Sequence, residues 1–307
     1  METRKKALLA VFIGNVIFGF SLLASTIALS LTIPSVMLAT RFTTAFLALN
    51  VVVIAGHFIK NKEGNPLVSF SLKGKPMKNL LLLAFFQPVL YFIAESYGIV
   101  YTSSSYSGVI LAVIPVMGVV FDVILLHTKV SKKQVICAIC SVIGVIITTL
   151  GATNMKSSFL GTILLFGSVT ASALYYVYSK KAGEHFNPIE RTYMMFGMGS
   201  IVFTSWALLQ CKGRYQELIF DVICRGDYWL AIGYLAIFSS VIAFMLLTYG
   251  TDHVSVSEAS IFANLITVIS IIAGVVVLKE SFGLMQVVGA VIIVVSVYLS
   301  SVDKKAE

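Results

Sequence analysis

The segment YGIVYTSSS at residues 97–105 recurs 152 residues later as YGTDHVSVS at residues 249–257, and this repeat decides the fold. A shift of 152 residues pairs 97–149 with 249–301 without a gap, and 13 of the 53 pairs are identical. Identities among Val, Ile, Leu and Ala carry little weight, because both segments are apolar. The Tyr-Gly and Ser-x-Ser matches indicate two copies of one structural unit.

The composition places both copies in a membrane. Hydrophobic residues make up 58% of the 307 residues and charged residues 12%, whereas soluble domains have about 45–50% and about 25%. Apolar runs of around 20 residues recur along the chain, long enough to cross a hydrocarbon core about 30 Å thick. We predict an all-α membrane protein with ten transmembrane helices at roughly 7–29, 34–59, 78–98, 104–127, 133–151, 159–181, 189–211, 228–250, 256–278 and 284–302.

Pro34 opens span 2 and Pro188 opens span 7, so the two prolines are equivalent. Because spans 2 and 7 are five spans apart, each copy contains five spans. We therefore divide the chain into a first five-helix repeat at 1–155 and a second at 156–307. An odd number of spans inserts the second copy upside down relative to the first. Two inverted repeats are typical of transporters that hold a solute near the membrane midplane and rock around it.

The basic residues predict the orientation. With the N-terminus in the cytoplasm, 16 Lys and Arg residues fall on the cytoplasmic side and 5 on the other, while Arg41 lies within a span. This asymmetry predicts an integral protein of the cytoplasmic (inner or plasma) membrane with both termini in the cytoplasm. It also explains the formal net charge of +8 without a nucleic-acid partner.

The four cysteines do not form a metal or disulfide framework. Cys137 and Cys140 have C-x-x-C spacing but fall inside a predicted span, which favours packing. Cys211 and Cys224 could form a disulfide bond if their loop is extracytoplasmic. The sequence therefore predicts no metal site.

The chain resembles the drug/metabolite transporter superfamily, and within it the EamA-type ten-helix members, over nearly its whole length. The resemblance is carried by Arg41 after Pro34, Tyr97-Gly98, Ser103, Ser105, Pro115, Tyr249-Gly250, Ser255, Ser257, Glu258-Ala259, Leu278-Lys279-Glu280 and Gln286-x-x-Gly289. Departures are Thr128 opposite Glu280, Thr267 opposite Pro115 and Cys137 opposite Gly289. The superfamily moves amino acids, sugars, nucleotide derivatives and cationic drugs, so the resemblance implies transport and leaves the substrate open.

Ionisable residues inside spans are costly and normally face a partner or a wet cavity. Arg41 and Glu95 are predicted at nearly the same depth. They could form a structural ion pair, or Arg41 could receive a substrate carboxylate or phosphate through its planar fork while Glu95 orients it. Gln87, Tyr91 and Glu95 are spaced i, i+4, i+8 on one helix face, which indicates either a cavity lining or helix–helix hydrogen bonds.

Further polar residues in spans complete the predicted substrate-binding set, although they could equally form interhelical contacts. They are Asn15, Ser168, Tyr175, Ser260 and Asn264. If transport is proton-coupled, Glu95 is the first candidate carrier and Asp122 the second, because a desolvated carboxylate can titrate near neutral pH.

The leading hypothesis is a secondary transporter that moves a small polar or amphipathic metabolite by alternating access. An amino acid or related solute is the best guess, and efflux follows from the resemblance alone. The sequence contains no Walker-type loop, predicts no cofactor and does not indicate an enzyme. The alternatives are a multidrug or cation exporter and a non-transporting membrane receptor. The expected partners are the solute and the lipid bilayer, with a homodimer left open.

Overall fold

The computed structural model describes residues 2–59, 70–126, 131–150, 158–253 and 256–302, and every regular element in these ranges is helical. The first repeat contains α1 (Glu2–Leu29), α2 (Pro34–Phe58), α3 (Met77–Ala84), a π-helical segment (Phe85–Leu90), α4 (Tyr91–Tyr101), α5 (Ser104–Leu111), α6 (Ile114–Leu126) and α7 (Lys132–Leu150). The second contains α8 (Phe159–Gly183), α9 (Pro188–Gln210), a short π-helical segment (Gln216–Phe220), α10 (Asp221–Ile223), α11 (Gly226–Gly233), a π-helical segment (Tyr234–Ile242), α12 (Ala243–His253), α13 (Val256–Val276) and α14 (Leu284–Val302).

Within the described ranges, seven helical stretches are long and apolar enough to cross a membrane. They are Arg4–Leu29, Pro34–Phe58, Met77–Tyr101, Ser104–Leu125, Phe159–Gly183, Pro188–Gln210 and Gly226–Leu247. Shorter apolar stretches, Val135–Thr148, Leu265–Val276 and Leu284–Ser296, lie where the fifth, ninth and tenth spans are predicted. The predicted repeat boundary at 155/156 lies outside the described residues.

The two proline-initiated helices begin as their sequences suggest. Pro34 and Pro188 each occupy the first position of a helix, where the missing N–H costs nothing. At the start of α9, Asn187 and Glu190 form a capping box in which each side chain accepts a hydrogen bond from the other residue's backbone N–H, both 2.9 Å long. These caps fix where α2 and α9 enter the bundle.

The third predicted span is not one regular helix. It is divided by the π-helical segment Phe85–Leu90, and Gln87 has a non-helical backbone at φ −141° and ψ 116°. Pro88 cannot donate the backbone hydrogen bond that a regular helix would need at this position. The expectation that Gln87 shares one regular helix face with Tyr91 and Glu95 is therefore wrong, whereas Tyr91 and Glu95 remain one turn apart on α4.

Helix packing follows the sequence repeat. Helices α2 and α9, which begin at the two equivalent prolines, pack along each other. The contacts of α1 with α12 and α13 are matched by those of α8 with α4 and α6. The contact of α2 with the segment Tyr234–Ile242 is likewise matched by that of α9 with Phe85–Leu90. The last helices of the two halves, α7 and α14, also pack together.

The α7–α14 contact depends on two glycines. A Cβ atom at Gly289 would lie 2.6 Å from the carbonyl oxygen of Gly144, and one at Gly144 would lie 2.9 Å from that of Gly289. Only hydrogen atoms fit in the space between the two backbones. The pair therefore holds α7 and α14 at a close crossing, as small residues do in membrane proteins.

Candidate functional site

The guanidinium of Arg41 lies at the centre of the candidate site. Arg41 is seven residues after the start of α2, which at about 1.5 Å per residue places its Cα about 10 Å along the helix. Its side chain is 1% exposed. The guanidinium lies 4.4 Å from the ring centroid of Phe92 and 5.5 Å from that of Phe42. These ring faces stabilise a cation removed from water.

Two serines of the second repeat also contact this guanidinium. Arg41 Nε donates to Ser240 Oγ at 3.2 Å, and Arg41 Nη2 donates to Ser239 Oγ at 3.3 Å. Both serines are fully buried in the π-helical segment Tyr234–Ile242. Neither serine was among the site residues predicted from the sequence. Extending the 152-residue shift backwards would have done so, because it pairs Gln87 with Ser239 and Pro88 with Ser240.

Glu95 lies nearby but does not form an ion pair with Arg41. In the part of the chain that the structure describes, no salt bridge of 4.0 Å or less joins the two side chains. Their charges still attract through space. The Glu95 carboxylate, in a side chain 5% exposed, instead accepts a hydrogen bond from the Tyr91 hydroxyl at 2.7 Å. The site thus contains a buried cation and a buried carboxylate that do not neutralise each other by direct contact.

Gln87 contributes an amide without a hydrogen bond from its side chain to any described residue. It is 8% exposed and lies at the kink that precedes Pro88. A buried amide normally has a partner, because an unpaired one loses the hydrogen bonds it made with water. Gln87 is therefore a candidate to bind either water or a solute.

The other predicted residues are distributed over several helices. Asn15 is buried and donates to the carbonyl of Val11 in its own helix at 2.7 Å, and Ser168 donates to that of Leu165 at 2.7 Å. Tyr175 packs on Tyr176, with ring centroids 5.2 Å apart. Among the described residues, none of the hydrogen bonds or ring contacts of these three reaches Arg41 or Glu95. The side chains of Ser260, Asn264 and Asp122 lie outside the described residues, although all three fall within helices.

An aromatic cluster lies beside Arg41 and includes rings of α9. Phe42 has ring centroids at 5.0 Å from Phe92, 5.9 Å from Phe196 and 5.3 Å from Phe203. These rings exclude water and lower the local dielectric, which strengthens any interaction between Arg41 and an anion. The arrangement thus brings a buried cation and apolar ring faces together in one place.

Two clefts lie away from this site. One of about 430 Å³ is lined by Ser71, Lys75, Gly183, Glu184, His185, Phe186, Asn187, Pro188, Glu190 and Arg191. The other, of about 400 Å³, is lined by Val53, Ile54, His57, Phe58 and Phe70. In the first cleft, Glu190 joins the two repeats: it accepts from the backbone N–H of Ser71 and from Lys75 Nζ, both at 2.7 Å.

Glu280 caps a helix of the other repeat. Its carboxylate accepts from the backbone N–H of Ser104 at 2.8 Å and of Ser105 at 2.9 Å, at the first turn of α5. The preceding residue, Lys279, has φ 56°, a left-handed conformation that directs the chain back toward α5. The Leu278-Lys279-Glu280 motif thus has a structural role that the sequence did not reveal.

A family model for the EamA-like transporter family matches the chain twice, at residues 5–150 and 159–302. The chain belongs to the EamA-like transporter family. The two matches cover almost all of the sequence, one for each half. This membership agrees with the drug/metabolite transporter superfamily expected from the motifs, and it makes the chain an integral membrane protein of a transporter family.

Relatives and a solved structure agree with this assignment. "Uncharacterized transporter YcxC" of Bacillus subtilis (strain 168) is 32% identical over 97% of this chain and 93% of its own length. An "Uncharacterized transporter" of Archaeoglobus fulgidus is 24% identical over 87% and 88% of the two chains. A crystal structure that is 16% identical and covers 99% of both chains superposes with a TM-score of 0.66, which supports the fold. Family and relatives thus indicate a transporter rather than an enzyme.

Proposed function

We propose that this protein is a secondary transporter that moves a small polar or amphipathic metabolite, with an amino acid as the best candidate, out of the cytoplasm. The observation that carries the proposal is Arg41. Among the described residues, this buried guanidinium forms hydrogen bonds with two neutral hydroxyls and with no carboxylate, so no ion pair cancels its charge inside the membrane. Such a charge costs several kcal/mol, and an anionic solute would offset this cost.

The buried Glu95 supports an amino acid in particular. The carboxylate of the solute would bind Arg41 and its ammonium group would approach Glu95, while the apolar side chain would lie against the Phe42 and Phe92 rings. If transport is coupled to protons, Glu95 is the first carrier, and Asp122 is the second.

The proposed architecture is ten spans in two inverted five-helix repeats, with both termini in the cytoplasm. The matched helix contacts of the two halves support this arrangement, since the contacts of α1 with α12 and α13, and of α2 with Tyr234–Ile242, have counterparts at α8 and α9. The two halves would rock around Arg41 to expose it to one side of the membrane at a time. A peptide tag at each terminus and an added protease test this topology. If the two tags are digested from opposite faces of the membrane, the topology is wrong.

Counterflow in proteoliposomes tests the function. Vesicles with the purified protein, loaded with one unlabelled L-amino acid, should accumulate its radiolabelled form, whereas vesicles without protein should not. We expect Arg41→Ala and Glu95→Gln to abolish counterflow with unchanged expression. The matched controls are Arg214→Ala and Glu217→Gln, because this pair lies exposed in the 211–225 loop. Normal rates in both site variants would refute the site assignment.

A cation exporter is the second candidate. Glu95 favours it, because no cationic side chain among the described residues lies within 4.0 Å of its carboxylate. A cluster of aromatic rings also lies next to it. In that case ethidium efflux would depend on Glu95, and Arg41→Ala would leave it intact. The cation exporter would be excluded by two results together. The wild type would show no ethidium efflux, and Arg41→Ala would lose amino-acid counterflow.

A further inference from the structure

The two longer π-helical segments occupy equivalent positions in the two repeats. The shift of 152 residues that defines the repeat places Phe85–Leu90 onto the second part of Tyr234–Ile242. Segments of this kind occur frequently at functional sites, because the extra residue per turn reorients side chains. In the first segment Gln87 carries an amide without a partner among the described residues, and in the second Ser239 and Ser240 bind Arg41.

Ser239 and Ser240 contact one particular edge of the guanidinium. Arg41 Nε and Nη2 lie on the side edge of the group, and these two nitrogens donate to the serine hydroxyls. A guanidinium has five N–H donors. Two are used here, which leaves three, two on Nη1 and one on Nη2. These three have no partner among the described residues.

Two of these free donors, one on Nη1 and one on Nη2, form the end-on fork of the guanidinium. This fork matches the two oxygens of a carboxylate in a bidentate contact. Since a serine hydroxyl is a neutral acceptor, it orients the guanidinium without cancelling its charge. A carboxylate in the place of the serines would orient the guanidinium and also cancel its charge. It would therefore compete with the solute for Arg41.

We infer that Ser239 and Ser240 are positioning residues that hold Arg41 with its end-on fork directed at the carboxylate of the transported solute. This inference rests on the proposed function. The serines belong to the second repeat and Arg41 to the first, so the hydrogen bonds also tie the binding group to both halves. An Arg41 side chain without them would sample other rotamers and meet the solute less often in the productive orientation.

The test uses serine-to-alanine variants in proteoliposomes. Wild-type counterflow is measured with each of the twenty radiolabelled L-amino acids, and KM and kcat are determined for the fastest one. We expect Ser239→Ala and Ser240→Ala each to raise KM severalfold, and the double variant to raise it about ten-fold, while kcat stays within two-fold. Ser141→Ala is the matched control, because Ser141 is also fully buried but lies on α7, where its hydroxyl has no partner among the described residues.

A second measurement separates positioning from general damage to the fold. Residual binding of the same amino acid to Arg41→Ala, measured by calorimetry, should not weaken further when both serines are also replaced. Additive losses in the triple variant would overturn the inference, as would an unchanged KM in the double variant. A wild type that carries none of the twenty amino acids would instead overturn the proposed function. The single variants keep the test valid if the double variant fails to fold.

Discussion

Glu190 provides the sharpest test of how the two repeats are joined. Its side chain is 2% exposed and accepts from three donors: Ser71 N and Lys75 Nζ at 2.7 Å, and Asn187 N at 2.9 Å. The first two belong to the segment before α3 in the first repeat, and the third belongs to the start of α9 in the second repeat. Glu190→Gln keeps the size of the side chain and removes its charge.

The expected cost follows from these contacts. One amide oxygen can replace one carboxylate oxygen, but the amide NH₂ group must then face Lys75 or a backbone N–H, both of which are donors. The lost charge-assisted hydrogen bond is worth about 1.5–3 kcal/mol and an unpaired N–H about 1–3 kcal/mol. Lys75 is 28% exposed and can turn to water. We therefore expect the free energy of unfolding to decrease by about 3 kcal/mol, near the lower end of the sum of these two contributions.

This loss should be visible in thermal unfolding. An unfolding entropy of about 2.1 cal/mol/K per residue over 307 residues converts 3 kcal/mol into a decrease of about 5 °C in Tm. Fluorescence of Trp206 and Trp229 in detergent can follow the transition. Amide hydrogen exchange at residues 70–76 should also accelerate in the variant, because Ser71 N loses its acceptor.

The control is a second Glu-to-Gln change at an exposed ion pair. Glu217 pairs with Arg214 at 2.7 Å, but both side chains are more than 60% exposed. The Arg214 guanidinium keeps the pKa of the Glu217 carboxyl below its ordinary value, yet pairs in water stabilise little. Glu217→Gln should leave Tm unchanged. Equal Tm values for Glu190→Gln and the wild type, with unchanged exchange at 70–76, would refute the reasoning.

Two further stability predictions follow from other contacts, besides the transport predictions for Arg41, Glu95 and the two serines. Glu280→Gln should lower stability by about 1–2 kcal/mol, because the amide can cap only one of the two N–H groups of α5. Thermal unfolding measures this change, and an unchanged Tm would exclude the cap. Gly289→Val should cost at least about 2 kcal/mol, because its Cβ would lie 2.6 Å from a backbone oxygen of α7. Gly233→Ala, where a Cβ meets nothing within 4 Å, is its control and should not lower stability, because alanine favours a helix more than glycine does.

The helices were predictable because each is encoded locally. A run of apolar residues with a proline or capping residue at its start defines a membrane helix without reference to the rest of the chain, as at Pro34 and Pro188. The breaks inside spans were less predictable. The sequence showed Pro88, but the extent of the disturbed segment and the non-helical backbone of Gln87 depend on how α9 and α8 pack against it.

The sequence made Arg41 of the candidate site predictable, but not its two serine partners. An arginine in an apolar run is conspicuous, because its cost in lipid demands a reason. Its partners are two serines nearly 200 positions away, and buried serines are common in membrane helices, so they give no signal alone. Only the repeat could have connected them, since it pairs Ser239 with Gln87, which was already a candidate.

The two repeats use the same framework for different chemistry. Pro34 and Pro188 are equivalent, so Arg41 in α2 corresponds to Met195 in α9, and both are 1% exposed. Arg41 meets two hydroxyls, whereas α9 meets the opposite π-helical segment through an apolar contact, with Pro88 2.8 Å from where a Cβ of Gly199 would lie. A second arginine at position 195 would bury another charge, which costs several kcal/mol within a membrane. On the proposed function, Arg41 is then the one arginine at this pair of equivalent positions, so an anionic group of the solute has a single place to bind, in the first repeat.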